Sequence, residues 1–234
     1  MFAFLVNALA VALGGILGLL LKKVIKKEIC DSILKGIGIV VFIFGLAGVL
    51  RYMFVIDKDT LAISTQNDLL LIVTIVLGTL IGEIIKIDSH LEKFGIYIES
   101  KIVKSSFATG FISSTLVFCV GALAIIGSVN SGLGDPSVTY LKSMLDLVSS
   151  IVLASTLGFG VIFAAIPIII YQGGITFLSY ILGDFISAKF ISGFSMVGYT
   201  LVACIGLNFI IKERIKVANM IPSLVLVIIY YLIF

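Results

Sequence analysis

Runs of about twenty apolar residues, separated by short charged stretches, govern what this chain can become. Segments 2–21, 36–56, 69–87, 107–128, 192–211 and 218–234 are apolar almost throughout, rather than along one helical stripe or at alternate positions. A hydrocarbon core of roughly 30 Å takes about 20 helical residues to cross, and lipid offers the backbone no partners outside a helix or a closed barrel. Uninterrupted apolar runs select helices. The expectation is an all-α polytopic bundle of seven to eight membrane helices.

At 60% hydrophobic and 12% charged residues, with mean hydropathy +1.27, a chain of 234 residues has no stretch left for a separate soluble catalytic domain. The whole chain, 1–234, is read as a single integral membrane domain whose function sits in or beside the bilayer. The opening "MFAFLVNALAVALGG" has no Lys or Arg ahead of its apolar run, so it is read as a retained first helix rather than a cleaved signal. Cys30, Cys119 and Cys204 are far apart and share no C-x-x-C spacing, which points to packing residues rather than a metal site or disulfides.

The segment 140–189 is too long for one crossing and contains Pro167 and the pair Gly173, Gly174. It is either one kinked helix with a surface piece or two crossings. Lys and Arg near helix ends collect on the cytoplasmic side. Eight crossings with the N-terminus outside place 12 of the 16 basic residues in the cytoplasm, in loops 22–35, 86–104 and 212–216, whereas seven crossings place 10. Eight is preferred, with both termini outside.

The sequence also repeats itself. "IVLGTLIGEIIKI" (75–87) matches "VALGGILGLLLKK" (11–23), with Gly14 and Gly18 falling on Gly78 and Gly82. "VFIFGLAG", "LVFCVGALA" and "LVACIGLN" align Gly45, Gly121 and Gly206. Repeat units 1–56, 69–128 and 141–211, plus a final helix 218–234, follow from this. Eight crossings would turn the last of the three aligned spans opposite to the other two, an arrangement known among transporters. Residues 90–104 alternate charges with Leu91, Phe94, Ile98 and Ile102, as an interfacial amphipathic helix would, and the lone His90 is read as solvated.

No nucleophile motif, metal-ligand cluster or phosphate-binding loop is present, so the chain is read as no enzyme, with no cofactor and no metal. Basic residues interleaved with acids, without a stacking surface, give nucleic-acid binding no support. Gly14, Gly18, Gly78 and Gly82 are read as helix-packing faces, and GxxxG faces also permit a homo-oligomer. The partners expected are the lipid bilayer and an unidentified ion or small solute.

What carries chemistry is polar residues inside the spans: Asn7, Glu83, Ser113, Ser114, Thr115, Asp146, Gln172, Asn208 and Asn219. Ionisable groups in a membrane are expensive and usually face the bundle interior or a wet cavity. Glu83, four residues from the basic end of its span, also suits snorkelling to the interface. Lys142, Asp146, Ser149, Ser150 and Thr156 fall within about 120° of one helix face at 100° per residue. Beside a plain helix interface, two readings stay open for them. One is a Lys142 and Asp146 pair at i, i+4 near the headgroups, with the serines bonded back to their own helix. The other is the polar lining of a pathway shared with Gln172 and Asn208.

"LVNALAVALGGILGLLL", "LVFCVGALAIIGS", "AIPIIIYQGG" and "IGLN" together resemble the YdfK/YqgA-like bacterial inner-membrane proteins, over residues 7 to about 222. The resemblance implies a multi-pass protein of the bacterial plasma membrane with a suspected transport role and no established substrate. It supplies no catalytic residue. The functional expectation is passage of an ion or small polar solute; the alternative is a membrane scaffold or regulatory protein whose polar residues only join helices.

Overall fold

The computed structural model describes residues 2–22, 27–56, 61–90, 93, 97, 106–119, 122–183 and 187–233. Among them the chain is helical apart from one hairpin. In chain order the elements are α1 (Ala3–Leu21), α2 (Lys27–Met53), β1 (Phe54–Ile56), β2 (Ile63–Thr65), α3 (Asp68–Ile85), α4 (Ser106–Cys119), α5 (Ala122–Gly132), α6 (Ser137–Leu157), a 3-10 helix (Phe159–Ala164), α7 (Ala165–Gly183), α8 (Ala188–Asn208), a second 3-10 helix (Val217–Met220) and α9 (Pro222–Ile233). The strands pair antiparallel, Phe54 with Thr65 and Ile56 with Ile63. Gly121 and the amphipathic stretch expected at 90–104, apart from His90, Lys93 and Tyr97, lie outside the described residues.

Among the described residues, five helices are long and apolar enough to cross a membrane: Ala3–Leu21, Asp68–Ile85, Ser137–Leu157, Phe159–Gly183 and Lys189–Asn208. A pair bent by 60°, α4 with α5, makes a sixth if it is one broken span. Gly38–Met53 and Val217–Ile233 are shorter apolar helices. The difference from seven or eight arises there. At Phe54 the chain passes from α2 into a strand of aromatic and β-branched residues, and α9 begins only after a 3-10 turn.

Segment 140–189 resolves into two helices with a break at Gly158, which takes φ +86°. A side chain there would meet the left-handed penalty that glycine escapes. Pro167 causes no kink, because it lies in the first turn of α7, where backbone N–H groups have no partner inside the helix. Gly173 and Gly174 stay within the continuous α7.

Contacts divide the chain into two interleaved units, Met1–Gly36 with His90–Asp184, and Ile37–Ser89 with Phe185–Phe234. The expected repeat segments cross this division. In the first unit α1 turns Leu5, Leu9, Leu13, Ile16 and Leu20 outward and buries Asn7, Val11, Gly14 and Gly18. Lipid is as apolar as leucine, so large apolar residues gain nothing by facing inward, and small or polar residues form the seam. Ala8, Val11, Phe118, Ala154, Val161, Ala164 and Ile168 build the core around it.

Glycine allows the close approach of α1 to α6. A Cβ on Gly14 would stand 2.9 Å from Ser150 Cβ and collide with the Leu147 carbonyl, and one on Gly18 would meet the Ile151 carbonyl. Higher numbers on α1 face higher numbers on α6, so these helices run parallel.

The second unit is built on the same device with opposite sense. On α3, buried Gly78 meets Ser223 and Gly82 meets the backbone of Asn219, so α3 and the final segment run antiparallel. Gly45 meets Ala203 and Gly48 meets Tyr199, which makes α2 and α8 antiparallel as well.

Polar contacts sort the unit into two ends. Arg214 lies 3.5 Å from Asp88, Lys216 lies 3.4 Å from Glu83, and the Asp88 N–H donates to Asn219 Oδ1 at 2.7 Å. At the other end Gln66 Nε2 donates to the Tyr52 carbonyl and to Ser192 Oγ, and the Tyr231 hydroxyl reaches Asn67. The basic clusters near 86 and 214 therefore share one end, and the tail of α9 lies at the opposite one.

Candidate functional site

Asn7, Val11, Gly14 and Gly18 are spaced by four, three and four residues and form one buried seam on α1. Gly14 and Gly18 set the distance to α6, and Ser150 Oγ donates to the Val11 carbonyl at 2.6 Å. Two turns before Gly14 the same face delivers Asn7 to Asp146. Asn7 Nδ2 donates to Asp146 Oδ2 at 3.0 Å and to Gln172 Oε1 at 3.1 Å, joining α1, α6 and α7. A single polar residue in such a seam fixes its register, because sliding by one turn strands it in apolar surroundings.

Lys142 Nζ donates to the same Asp146 Oδ2, one turn back along α6. The Lys142 and Asp146 side chains retain only 6% and 9% of their exposure, so this is a buried ion pair. The ammonium also lies 5.9 Å from the centroid of the Phe118 ring, whose face attracts cations. At the break after Cys119, where α4 gives way to α5, this ring closes the cation side of the site.

Hydrogen bonding in the network is incomplete. Asn7 Oδ1 and Gln172 Nε2 are buried without a partner among the described residues, as is Thr176 Oγ1, one turn beyond Gln172 on α7. Both amide atoms of the fully buried Asn130 on α5 are likewise unpartnered. Leaving a buried donor or acceptor unmade costs about 1–3 kcal/mol, so each of these atoms has capacity for a further group.

The other polar residues singled out in the sequence have different surroundings. Ser149 is half-buried, and Thr156 is exposed and bonds back to the Val152 and Leu153 carbonyls of its own helix. The polar face of α6 thus ends inward at Ser150, with Ala154 next on the seam. Ser114 and Thr115 bond back to Gly110 and Phe111, and Ser113 is half-buried on α4. Glu83 and Asn208 belong to the second unit. Glu83 is exposed and faces Lys216. Asn208 closes the loop after α8, donating to the Ile215 carbonyl at 2.8 Å and accepting from the Ile215 N–H at 2.7 Å.

Sequence reading missed Thr176 and Asn130. Thr176 stands at i+4 from Gln172, a spacing that would have found it. Asn130 lies just past the expected span 107–128, where α5 continues to Gly132.

A family model described as "Protein of unknown function (DUF554)" matches residues 2–232. The chain belongs to this family. Among its relatives is the "Uncharacterized membrane protein YdfK" of Bacillus subtilis (strain 168), 31% identical over 227 residues that cover 97% of this chain and 93% of the relative. Another is the "Uncharacterized protein YqgA" of Escherichia coli (strain K12), 28% identical over 229 residues, 94% of this chain and 92% of the relative. No solved structure matches the chain. Membership in this family, a relative named as a membrane protein and several helices of spanning length make this a membrane protein.

Proposed function

We propose that the protein lies in the bacterial plasma membrane, is not an enzyme, and passes an ion or small polar solute through its first unit, with Lys142, Asp146, Asn7 and Gln172 as the binding centre. One observation carries this reading. A buried ion pair is joined across three helices to amides that still hold an unpartnered acceptor and an unpartnered donor. Polar groups that only fasten helices together need no such surplus, whereas a group that binds and releases cargo does. Around this centre the helices present apolar residues outward, as a wall against lipid would.

Purified protein in liposomes provides the test, with ion and solute flux measured for the parent and for Asn7→Ala. Flux in the parent that falls in the variant, at unchanged helicity, supports the reading. A parent as tight as empty liposomes to every ion and solute removes it.

The scaffold reading is favoured by the bond from Ser150 to the Val11 carbonyl, which fastens α6 to α1. In that case the parent moves nothing, and Asn7→Ala lowers stability alone. Self-association through the GxxxG faces would need a different surface, since Gly14, Gly18, Gly78 and Gly82 are all covered by the chain's own helices.

A further inference from the structure

The centre in the first unit carries both signs of charge and no net charge. Lys142 and Asp146 cancel one another, and Asn7 and Gln172 are neutral. Its unused capacity is also two-sided. Asn7 Oδ1 can only accept, Gln172 Nε2 can only donate, and Thr176 Oγ1 can do either.

This inventory weighs against a bare ion. A dehydrated cation wants several converging oxygens, and Asn7 Oδ1, the Thr176 hydroxyl and the Asp146 carboxylate would supply them only by displacing Lys142, whose charge would then go unbalanced. A dehydrated anion finds Gln172 Nε2 and the Thr176 hydroxyl, but its charge would go unbalanced unless Lys142 left Asp146. Either ion leaves a net charge in a buried site, which is the unfavourable condition for burial.

A solute that bears an ammonium and a carboxylate meets neither objection. Its ammonium donates to Asn7 Oδ1 and the Asp146 carboxylate, and its carboxylate accepts from Gln172 Nε2, the Thr176 hydroxyl and the Lys142 ammonium. One internal ion pair is thereby exchanged for two intermolecular ones, and the net charge stays at zero. Charge-assisted hydrogen bonds are also the stronger kind, so a zwitterion gains more here than an amide of the same size. We propose that the cargo of this centre is a small zwitterion. The inference rests on the transport reading above and specifies its substrate class.

Proteoliposomes holding the full chain test it with radiolabelled L-alanine and γ-aminobutyrate as zwitterions, acetamide and urea as neutral solutes, and sodium and chloride as ions. At least one zwitterion is expected to enter about tenfold faster than the amides or the ions, and to raise the melting temperature of the detergent-solubilised chain. Gln172→Ala removes one open position without touching the ion pair, and Asn7→Ala removes the other together with the amide bond to Asp146. Each is expected to lower zwitterion flux about 10- to 100-fold, the loss that accompanies one hydrogen bond to a charged group. If sodium or chloride moves and zwitterions do not, the zwitterion inference falls while transport stands. Amide flux equal to zwitterion flux, or parental zwitterion flux in both alanine variants, also overturns it. If no solute moves and no melting temperature shifts, both readings fall together.

Discussion

Removing Lys142 and Asp146 one at a time and together asks whether their pair is buried in the solvated protein as it is in the structure. Among the described residues, Lys142→Met leaves the Asp146 carboxylate with the Asn7 amide alone, and Asp146→Leu leaves an ammonium with the Phe118 face alone. Stranding one charge of a buried pair typically costs about 3–5 kcal/mol, and for a chain of this size each kcal/mol moves the melting temperature by about 2–4 °C. Each single variant should therefore melt roughly 6–20 °C below the parent. The double variant replaces both charges by apolar groups of similar volume and should recover most of that loss, because two desolvation penalties disappear with the one attraction. Circular dichroism melts in mild detergent give the measurement, since the chain has no Trp to report by fluorescence. Two single losses below about 1 kcal/mol that simply add in the double variant would refute the reasoning. The pair would then be a hydrated headgroup contact, and the centre proposed above would lose its anchor.

Gly14→Leu should destabilise by about 3 kcal/mol or more, because backbone of α6 and not a movable side chain stands in the way, whereas Gly174→Ala, with nothing within 4 Å, should be neutral or stabilising; thermal melts of the two check this. Ser150→Ala should cost about 1 kcal/mol by the same measurement, the net worth of its bond to the Val11 carbonyl. A C-terminal reporter active only in the cytoplasm should stay silent, since Tyr231 lies at the end opposite the basic clusters; an active one overturns the assigned orientation.

The membrane helices were legible because lipid demands continuous apolar length, and length is a one-dimensional property. The grouping of Lys142, Asp146 and Ser150 on one face was legible too, since helical periodicity is local. Which face meets which helix was not. Asn7 finds Asp146 across 139 residues, and nothing in either span names the other. In the sequence Pro167 and the glycine pair mark 140–189 as breakable, yet the break falls at Gly158. Proline near a helix start costs nothing, and glycines within a helix are tolerated where a neighbour packs closely, as Phe4 does on Gly173. Asn208 reads as a pathway residue because it is polar within an apolar span, but α8 ends there and its amide holds the following loop.

Because the units interleave along the chain, the order of synthesis matters. The ribosome releases α1, then most of the second unit's first half, then the remainder of the first unit, and only then α8 and α9. The seam of α1 must wait in the bilayer, with Asn7 unsatisfied and its two glycines bare, until α6 emerges more than a hundred residues later. The first unit can close before the chain is complete, and the second cannot. For that interval the nascent protein is a set of half-seams, open to capture by any helix with small residues on one face. A slow passage of the ribosome between α3 and α6 would lengthen that exposure.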